Sequence, residues 1–395
     1  MQKNKTYTGV HDLERSRDEL VAWRHAMHRQ PELAFNEVAT ARMVADMLAA
    51  WGYAVTEGVG TTGVVGTLKS GASTRSIGIR ADMDALPFTE QTGLPYASKV
   101  EGAMHACGHD GHTTMLLGAA KHLAATRNFS GTVHMIFQPA EEAGIDSGAG
   151  RMLADGLFER FPCDVVYALH NHPGKPARTF HFRSGPFMSA SDRVTITVKG
   201  VGGHAARPHQ AIDPIVAAAS IVMALQTVVA RSVNPTQIAV VTVGTLHGGK
   251  AMNVIANEAT LGLSVRSFDA EVRTLLQKRI TELAKAQAAS YGATAEIDYG
   301  LGHPVLVNTE RETEFARAVA VELVGVENVV GHTEQVTGSE DFALMLRERP
   351  GCFVRLGNGA GEKVPMLHTT RYDFNDENLT VGAAYWALLV ERYLE

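Results

Sequence analysis

Cysteine is scarce: Cys107, Cys163 and Cys352 are the only three in 395 residues. Three scattered thiols exclude a disulfide framework. Charge of one sign is lacking too, with 36 Lys and Arg against 42 Asp and Glu, a formal balance of −6, and no basic block. The electrostatic footprint of a nucleic-acid binder is missing, so nucleic acid is not an expected partner. Long apolar runs are absent as well. The most apolar stretch, residues 215–230, is interrupted by Ser220, Gln226 and Thr227. It falls short of the roughly 18 apolar residues that a membrane span needs. Residues 1–12 are polar and contain no signal-peptide core. No membrane association is expected, and a cytoplasmic location follows as an expectation.

Histidine, by contrast, is abundant. There are 17, and His105, His109 and His112 fall within eight residues together with Cys107. Chain length gives room for two or three domains. Two styles of patterning alternate along the chain. Up to about residue 185, apolar runs at residues 77–79, 133–137 and 165–169 alternate with helical stretches such as 115–125. That alternation predicts a parallel or mixed sheet covered on both faces. Between residues 186 and 300 the style changes. Val194, Ile196 and Val198 alternate with polar residues, the period of a half-buried strand. A helix (215–230), strands (237–246 and 259–266), a helix bearing Val272, Leu276, Ile280 and Leu283, and a strand (294–299) follow. The order β-α-β-β-α-β is a split βαβ layout. After His303 the first style resumes, with a helix near 312–324, a strand at 352–356 and a closing helix from Asn378. The expected architecture is α/β: a discontinuous mixed-sheet catalytic domain (1–185 and 301–395) with an inserted α+β domain (186–300).

Chemistry concentrates in four segments that carry metal-grade donors at or near the ends of apolar runs, where ligands bind in open α/β sheets. They are Arg-Ala-Asp-Met-Asp-Ala-Leu-Pro (80–87), the His105–His112 cluster, Gln-Pro-Ala-Glu-Glu (138–142) and His170-Asn171-His172. A Cys-x-His pair flanked by glycine lets a thiolate and an imidazole approach one centre, suiting zinc or another borderline first-row metal. Carboxylates beside it resemble an open catalytic site more than a closed structural one. Glu141 and Glu142 are adjacent, so one can bind metal while the other moves protons. Bland readings compete. Asp-x-Asp after a strand is often a turn, Glu-Glu often opens a helix, and His172, beside Pro173-Gly174, reads as a loop residue. Cys163 and Cys352 read as small buried apolar groups. His25, His28, His122 and His134 read as surface or satisfied core histidines. A thiol nucleophile at Cys107 paired with a histidine is a further alternative, but it leaves the carboxylate pair idle.

Taken together, these motifs resemble the co-catalytic metallo-amidohydrolases of the aminoacylase and carboxypeptidase superfamily, in the hippurate hydrolase and auxin-conjugate amidohydrolase branch. The likeness spans residues 20–394. It also rests on His-Arg-Gln-Pro-Glu-Leu (28–33), Gly-Gly-His-Ala-Ala-Arg-Pro-His (202–209), Gly-Ser-Glu-Asp-Phe (338–342), Leu-His (367–368) and Tyr-Asp-Phe-Asn-Asp (372–376). The resemblance implies two divalent metal ions per subunit (zinc, manganese, cobalt or nickel). Cys107 would bridge them, and His109, Glu142, His170 and His368 would complete the ligands. Glu141 would be the general base and Asp84 the acid behind a ligand. The inserted domain would be a lid that forms a homodimer, or a tetramer. His204 would reach the partner's site to stabilise the oxyanion, and Asn253 and Arg266 would address the substrate carboxylate. For Arg266 a surface salt bridge is an equal alternative.

The chain departs from the family pattern at Ala256, which replaces a proline, at Thr369 and Thr370 after His368, and in the glycine-poor run 143–146. None removes a ligand; each bears on the substrate pocket. The expected activity is hydrolysis of the amide bond of an N-acyl or N-aroyl amino acid. Dipeptides and N-acetyl amino acids are alternative substrates, and a non-catalytic metal-binding protein is the alternative outside enzymes.

Overall fold

The computed structural model describes residues 8–361 and 364–395. Part of the polar stretch 1–12 therefore lies outside the described residues. The chain forms two compact units: one of residues up to Gly185 with Val307–Glu334 and Asp341–Glu395, the other of Pro186–Leu306 with Gln335–Glu340.

In the first unit, β1 (Ala54–Val59), β2 (Gly63–Ser70), β3 (Ser76–Asp82), β4 (Gly131–Gln138) and β5 (Val165–His172) join three later strands. The sheet order is β1-β2-β4-β3-β5, then Gly351–Gly357, Phe180–His181 and Val329–Val330. β4, β3, β5 and Gly351–Gly357 run parallel, while β1 and β2 are antiparallel additions at one edge. Every residue of β3 and of Gly351–Gly357 is buried, as parallel strands covered on both faces require. Parallel strands end at a common edge, so Asp82, Gln138 and His170 arrive there together.

Cys352, Val354 and Leu356 share a core with Trp386 and Leu388, while Phe353 meets Phe342 of the Phe342–Glu348 helix. Successive strand residues point to opposite faces, so these contacts cover both sides of the strand. Helix His109–Thr126 packs against the C-terminal helix Glu377–Tyr393. Their approach depends on Gly382, where a Cβ would fall 2.0 Å from the Met115 Sδ.

The helix expected at residues 115–125 starts at His109, and among the described residues no strand leads directly into it, β3 ending at Asp82. Its first turn, His-Asp-Gly-His, is polar on every side and carries no apolar period. Gly108 (φ +93°) turns the chain straight from Cys107 into the helix; a Cβ there would lie 2.5 Å from both Asn171 Nδ2 and Tyr372 Oη.

The second unit is a four-stranded antiparallel sheet in the order Ala239–Gly248, Glu258–Ser267, Ala190–Lys199, Thr294–Leu301. Helices Pro214–Ser232 and Ala270–Ser290 pack on it, giving the split βαβ order. Asp213 and Asp269 cap them by accepting from backbone N–H groups of their first turns. Pro214–Ser232 has 19 residues and a mean hydropathy of 1.7, the length and composition of a membrane span. A count of uninterrupted apolar residues does not reveal this. Its Ala217, Ala218, Ile221, Leu225 and Val228 stripe faces the unit's core, whereas Val216 and Met223 are exposed. The unit runs to Leu306 rather than residue 300, because Ser191 N–H bonds His303 O beyond the last strand. Gln335–Glu340 also belongs to it, with Ser189 N–H donating to Val336 O and Gly338 O.

Candidate active site

Four stretches of the first unit meet at the common strand edge. Asp82 ends β3 and Asp84 follows it, and Glu141 and Glu142 open a single 3-10 turn after β4. His170 lies near the end of β5, just before buried Asn171, and His109 starts the helix two residues after Cys107. A fifth arrives from the C-terminal segment, where His368 takes a left-handed φ of +59°. Its N–H donates to Ala106 O, fixing it to the Cys107 loop. A non-glycine residue held there is strained and persists only when its surroundings dictate it.

The five donors expected from the sequence fall into two overlapping triplets, Cys107–His109–His170 and Cys107–Glu142–His368, sharing the thiol. Within each, the potential ligand atoms lie within 4.8 Å of one another. Cys107 Sγ is 3.3 Å from His170 Nε2, and His368 Nε2 is 3.0 Å from Glu142 Oε1. Glu141 belongs to a third triplet with His109 and Glu142.

Hydrogen bonds decide which atoms remain available. His109 donates Nδ1–H to Asp84 O and Oδ1 (2.9 and 3.1 Å), and its buried Nε2 has no hydrogen-bond partner. His170 donates Nδ1–H to Asn171 O at 2.7 Å, which turns Nε2 toward Cys107. Glu142 Oε1 is buried and makes no hydrogen bond, although His368 is close. Asp84 Oδ2 accepts from Glu142 N–H at 3.0 Å, so this one carboxylate orients two of the donors.

A neighbouring group, Asp82–His109–His112, also has its donor atoms within 4.8 Å. It is differently disposed. Asp82 accepts from His112 Nδ1 (2.6 Å) and Arg80 (2.7 Å), and His112 Nε2 accepts from Asn171 N–H (3.0 Å). Asn171 also bonds Cys107 O and Tyr372 Oη. Each Asp82 oxygen already accepts a hydrogen bond and His112 Nε2 is taken by Asn171, which makes both residues supports.

Burial and the carboxylates Glu142, Glu141 and Asp82 push the Cys107 thiol well above its usual range. Reactive thiols need the opposite surroundings, which argues against a nucleophilic cysteine; a divalent cation would reverse the balance. Burial would lower His109, but Asp82, Asp84 and Glu142 push it up to about 10. His170 is held far below its ordinary value by burial and neighbouring His112, so it is a neutral imidazole. A thiol, imidazoles and several carboxylates gathered within a few ångströms are a donor set suited to divalent cations.

Residues without a sequence assignment brace the site. Arg24 contacts Asp110, Asp373 and Asp376, joining the start of the His109 helix to the segment after His368. His28 bonds Asp110 at 2.8 Å, and Glu37 Oε1 accepts from Ala140 N–H before the Glu-Glu turn. His25, His122 and His134 also have protein partners, and Cys163 and Cys352 are buried. His105 is buried, makes no hydrogen bond and is lowered by burial to about 4. His172 closes β5 outside the donor triplets.

In the second unit, His204 pairs with Val254 in a short exposed ribbon, and Asn253 O accepts from Ala205 N–H. Ala206 N–H donates to His204 Nδ1 at 3.1 Å, so the ring carries its proton on Nε2, a hydrogen-bond donor. Arg266 lies apart from them near the end of its strand. It is half-buried, with Ser339 Oγ at 3.5 Å and no ion pair among the described residues. The surface salt bridge is not formed, and the guanidinium stays available for a carboxylate.

The family described as peptidase family M20/M25/M40 matches residues 78–392. Over 372 residues the chain is 44% identical to hippurate hydrolase of Campylobacter jejuni, covering 94% of this chain and 96% of that one. It is 38% identical to N-acetylcysteine deacetylase of Bacillus subtilis over 380 residues, 95% and 97% of the two chains. The crystal structure of Bacillus subtilis YXEP protein, described as a dinuclear metal binding peptidase, superposes with a TM-score of 0.83 at 35% identity, covering 96% of this chain and 99% of that one.

Proposed function

The chain belongs to peptidase family M20/M25/M40, and from that membership we propose that it is a metal-dependent amidohydrolase cleaving N-acyl or N-aroyl amino acids to a carboxylic acid and a free amino acid. The observation that carries this reading is the pair of donor triplets sharing Cys107, with Glu141 beside them. The similarity to hippurate hydrolase supports a hippurate-like substrate, and the similarity to N-acetylcysteine deacetylase supports small acyl groups as alternatives.

In this reading Cys107, His109, Glu142, His170 and His368 would hold two divalent ions. Bound there, the ions supply Lewis acidity to the amide carbonyl and to the attacking water. Glu141 accepts the proton of that water as its oxygen bonds to the carbonyl carbon. When the C–N bond breaks, Glu141 returns the proton to the amine. Asp84 keeps the His109 ring and the Glu142 backbone in register throughout. His204 donates to the developing oxyanion, and Asn253 and Arg266 take the amino-acid carboxylate.

The assembly we propose is a homodimer formed through the second unit. Its Ala239–Gly248 strand is an open sheet edge with little burial, and the neighbouring helix exposes Val216 and Met223. Exposed edges of this length call for a partner. A cytoplasmic setting accords with three unpaired thiols. Metal analysis followed by a hydrolysis panel, varying acyl group and amino acid separately, tests the proposal. Two equivalents of metal with chelator-sensitive cleavage of hippurate-like amides support it; metal-free turnover or no cleavage across the panel overturns it.

A further inference from the structure

A second polar crevice lies at the opposite end of the parallel strands. It encloses about 240 Å³ and is lined by Arg75, Asp164, Tyr167, Arg311, Glu312, Phe315 and Tyr393, among others. Its floor is Tyr167, whose hydroxyl is buried and makes no hydrogen bond. Its walls are aromatic: Phe315 lies 6.4 Å from Tyr167 and 5.9 Å from Tyr393 between ring centroids. The Arg75 guanidinium stacks on Tyr393 at 4.3 Å. Two guanidinium groups and two carboxylates line it, so the lining is balanced in charge; Asp164 Oδ2 accepts from Ser76 N–H and Glu312 Oε2 from Thr309 Oγ1. A purely anionic or cationic ligand would meet repulsion from one pair. A molecule carrying both charges a few ångströms apart, with an apolar group beside them, would satisfy all of it.

We propose that this crevice binds a free α-amino acid as its zwitterion. The carboxylate bonds the Arg311 guanidinium, the ammonium bonds Glu312, and the side chain lies along Phe315 and Tyr393 over the Tyr167 ring. Arg311 is exposed and carries no ion pair among the described residues, so it can close over the ligand. Tyr167 is three residues before His170 on β5, about 10 Å along the strand. Occupancy therefore bears on the strand that delivers a metal donor.

This proposal does not rest on the hydrolytic reading, because binding is measured directly and an inactive protein would leave it intact. The probe is L-phenylalanine titrated calorimetrically into the zinc-loaded full chain, with 3-phenylpropanoate and 2-phenylethylamine as analogues lacking one charge. Crystals soaked with L-phenylalanine locate the site. Density over Tyr167 is expected. Arg311→Ala should weaken binding there about tenfold or more, as should removal of either ligand charge. Tyr167→Phe should weaken it less, and hydrolytic kcat/KM at low amino-acid concentration should be unchanged in Arg311→Ala. An empty crevice, affinity unaltered in both variants, or equally tight binding of either analogue would overturn the proposal.

Discussion

At the residue scale, hydrogen bonding separates free donors from spent ones. His109 Nε2 and Glu142 Oε1 are buried without hydrogen bonds, whereas both Asp82 oxygens and both His112 ring nitrogens are engaged by the protein. Glu141→Gln should retain both metals and lose kcat by about 10²–10⁴-fold, the usual worth of a general base; near-normal turnover would remove Glu141 from that role. Asp84→Asn should weaken metal affinity about 10–100-fold, read in a chelator-buffered titration, since one carboxylate holds His109 and the Glu142 backbone. The His-Cys-His cluster and the Glu-Glu pair are legible in the sequence because their residue types are uncommon at such spacing. The supporting roles of Asp82, Asn171 and Tyr372 are not, although all three lie inside the sequence motifs. Their importance comes from approaches across 30, 64 and 201 positions of chain, which no local spacing reveals.

At the scale of elements, the strands of both units follow their apolar periods closely. The helix carrying His109 does not, because its functional first turn is polar. His28 joins Arg17–Arg29 to that helix through Asp110. Burial would lower His28, but Asp110 and Glu90 push it up to about 9 from 6.5. A raised histidine stabilises fully below pH 6.5 and loses that contribution as pH rises through 9, here about 3 kcal/mol at most. Asp110 is depressed by the same pair and adds nothing separate. Urea midpoints of the metal-free protein should therefore fall between pH 6.5 and 9.5 or so, with a flatter slope in His28→Gln. An unchanged slope would show the pair to be energetically silent. Gly382→Ala should cost about 1–3 kcal/mol by overpacking against Met115; a neutral result would mean that the methionine simply swings aside.

At the scale of the whole molecule, the split βαβ order was readable from alternating apolar residues, while the return of Gln335–Glu340 to the second unit was not, since it rests on backbone bonds to Ser189. The open edge strand and Met223, 71% exposed, form the surface assigned to dimerisation. Met223→Glu combined with Leu246→Lys should shift sedimentation toward the monomer and reduce activity with it. A fully active monomer would contradict a role for His204 in the partner's site. The central claim is tested most directly by anomalous diffraction from crystals grown with zinc or manganese. The account predicts two peaks about 3.5–4 Å apart, with the Cys107 sulfur between them and His109, Glu142, His170 and His368 around them. A single peak, or ions bound away from Cys107, would contradict it.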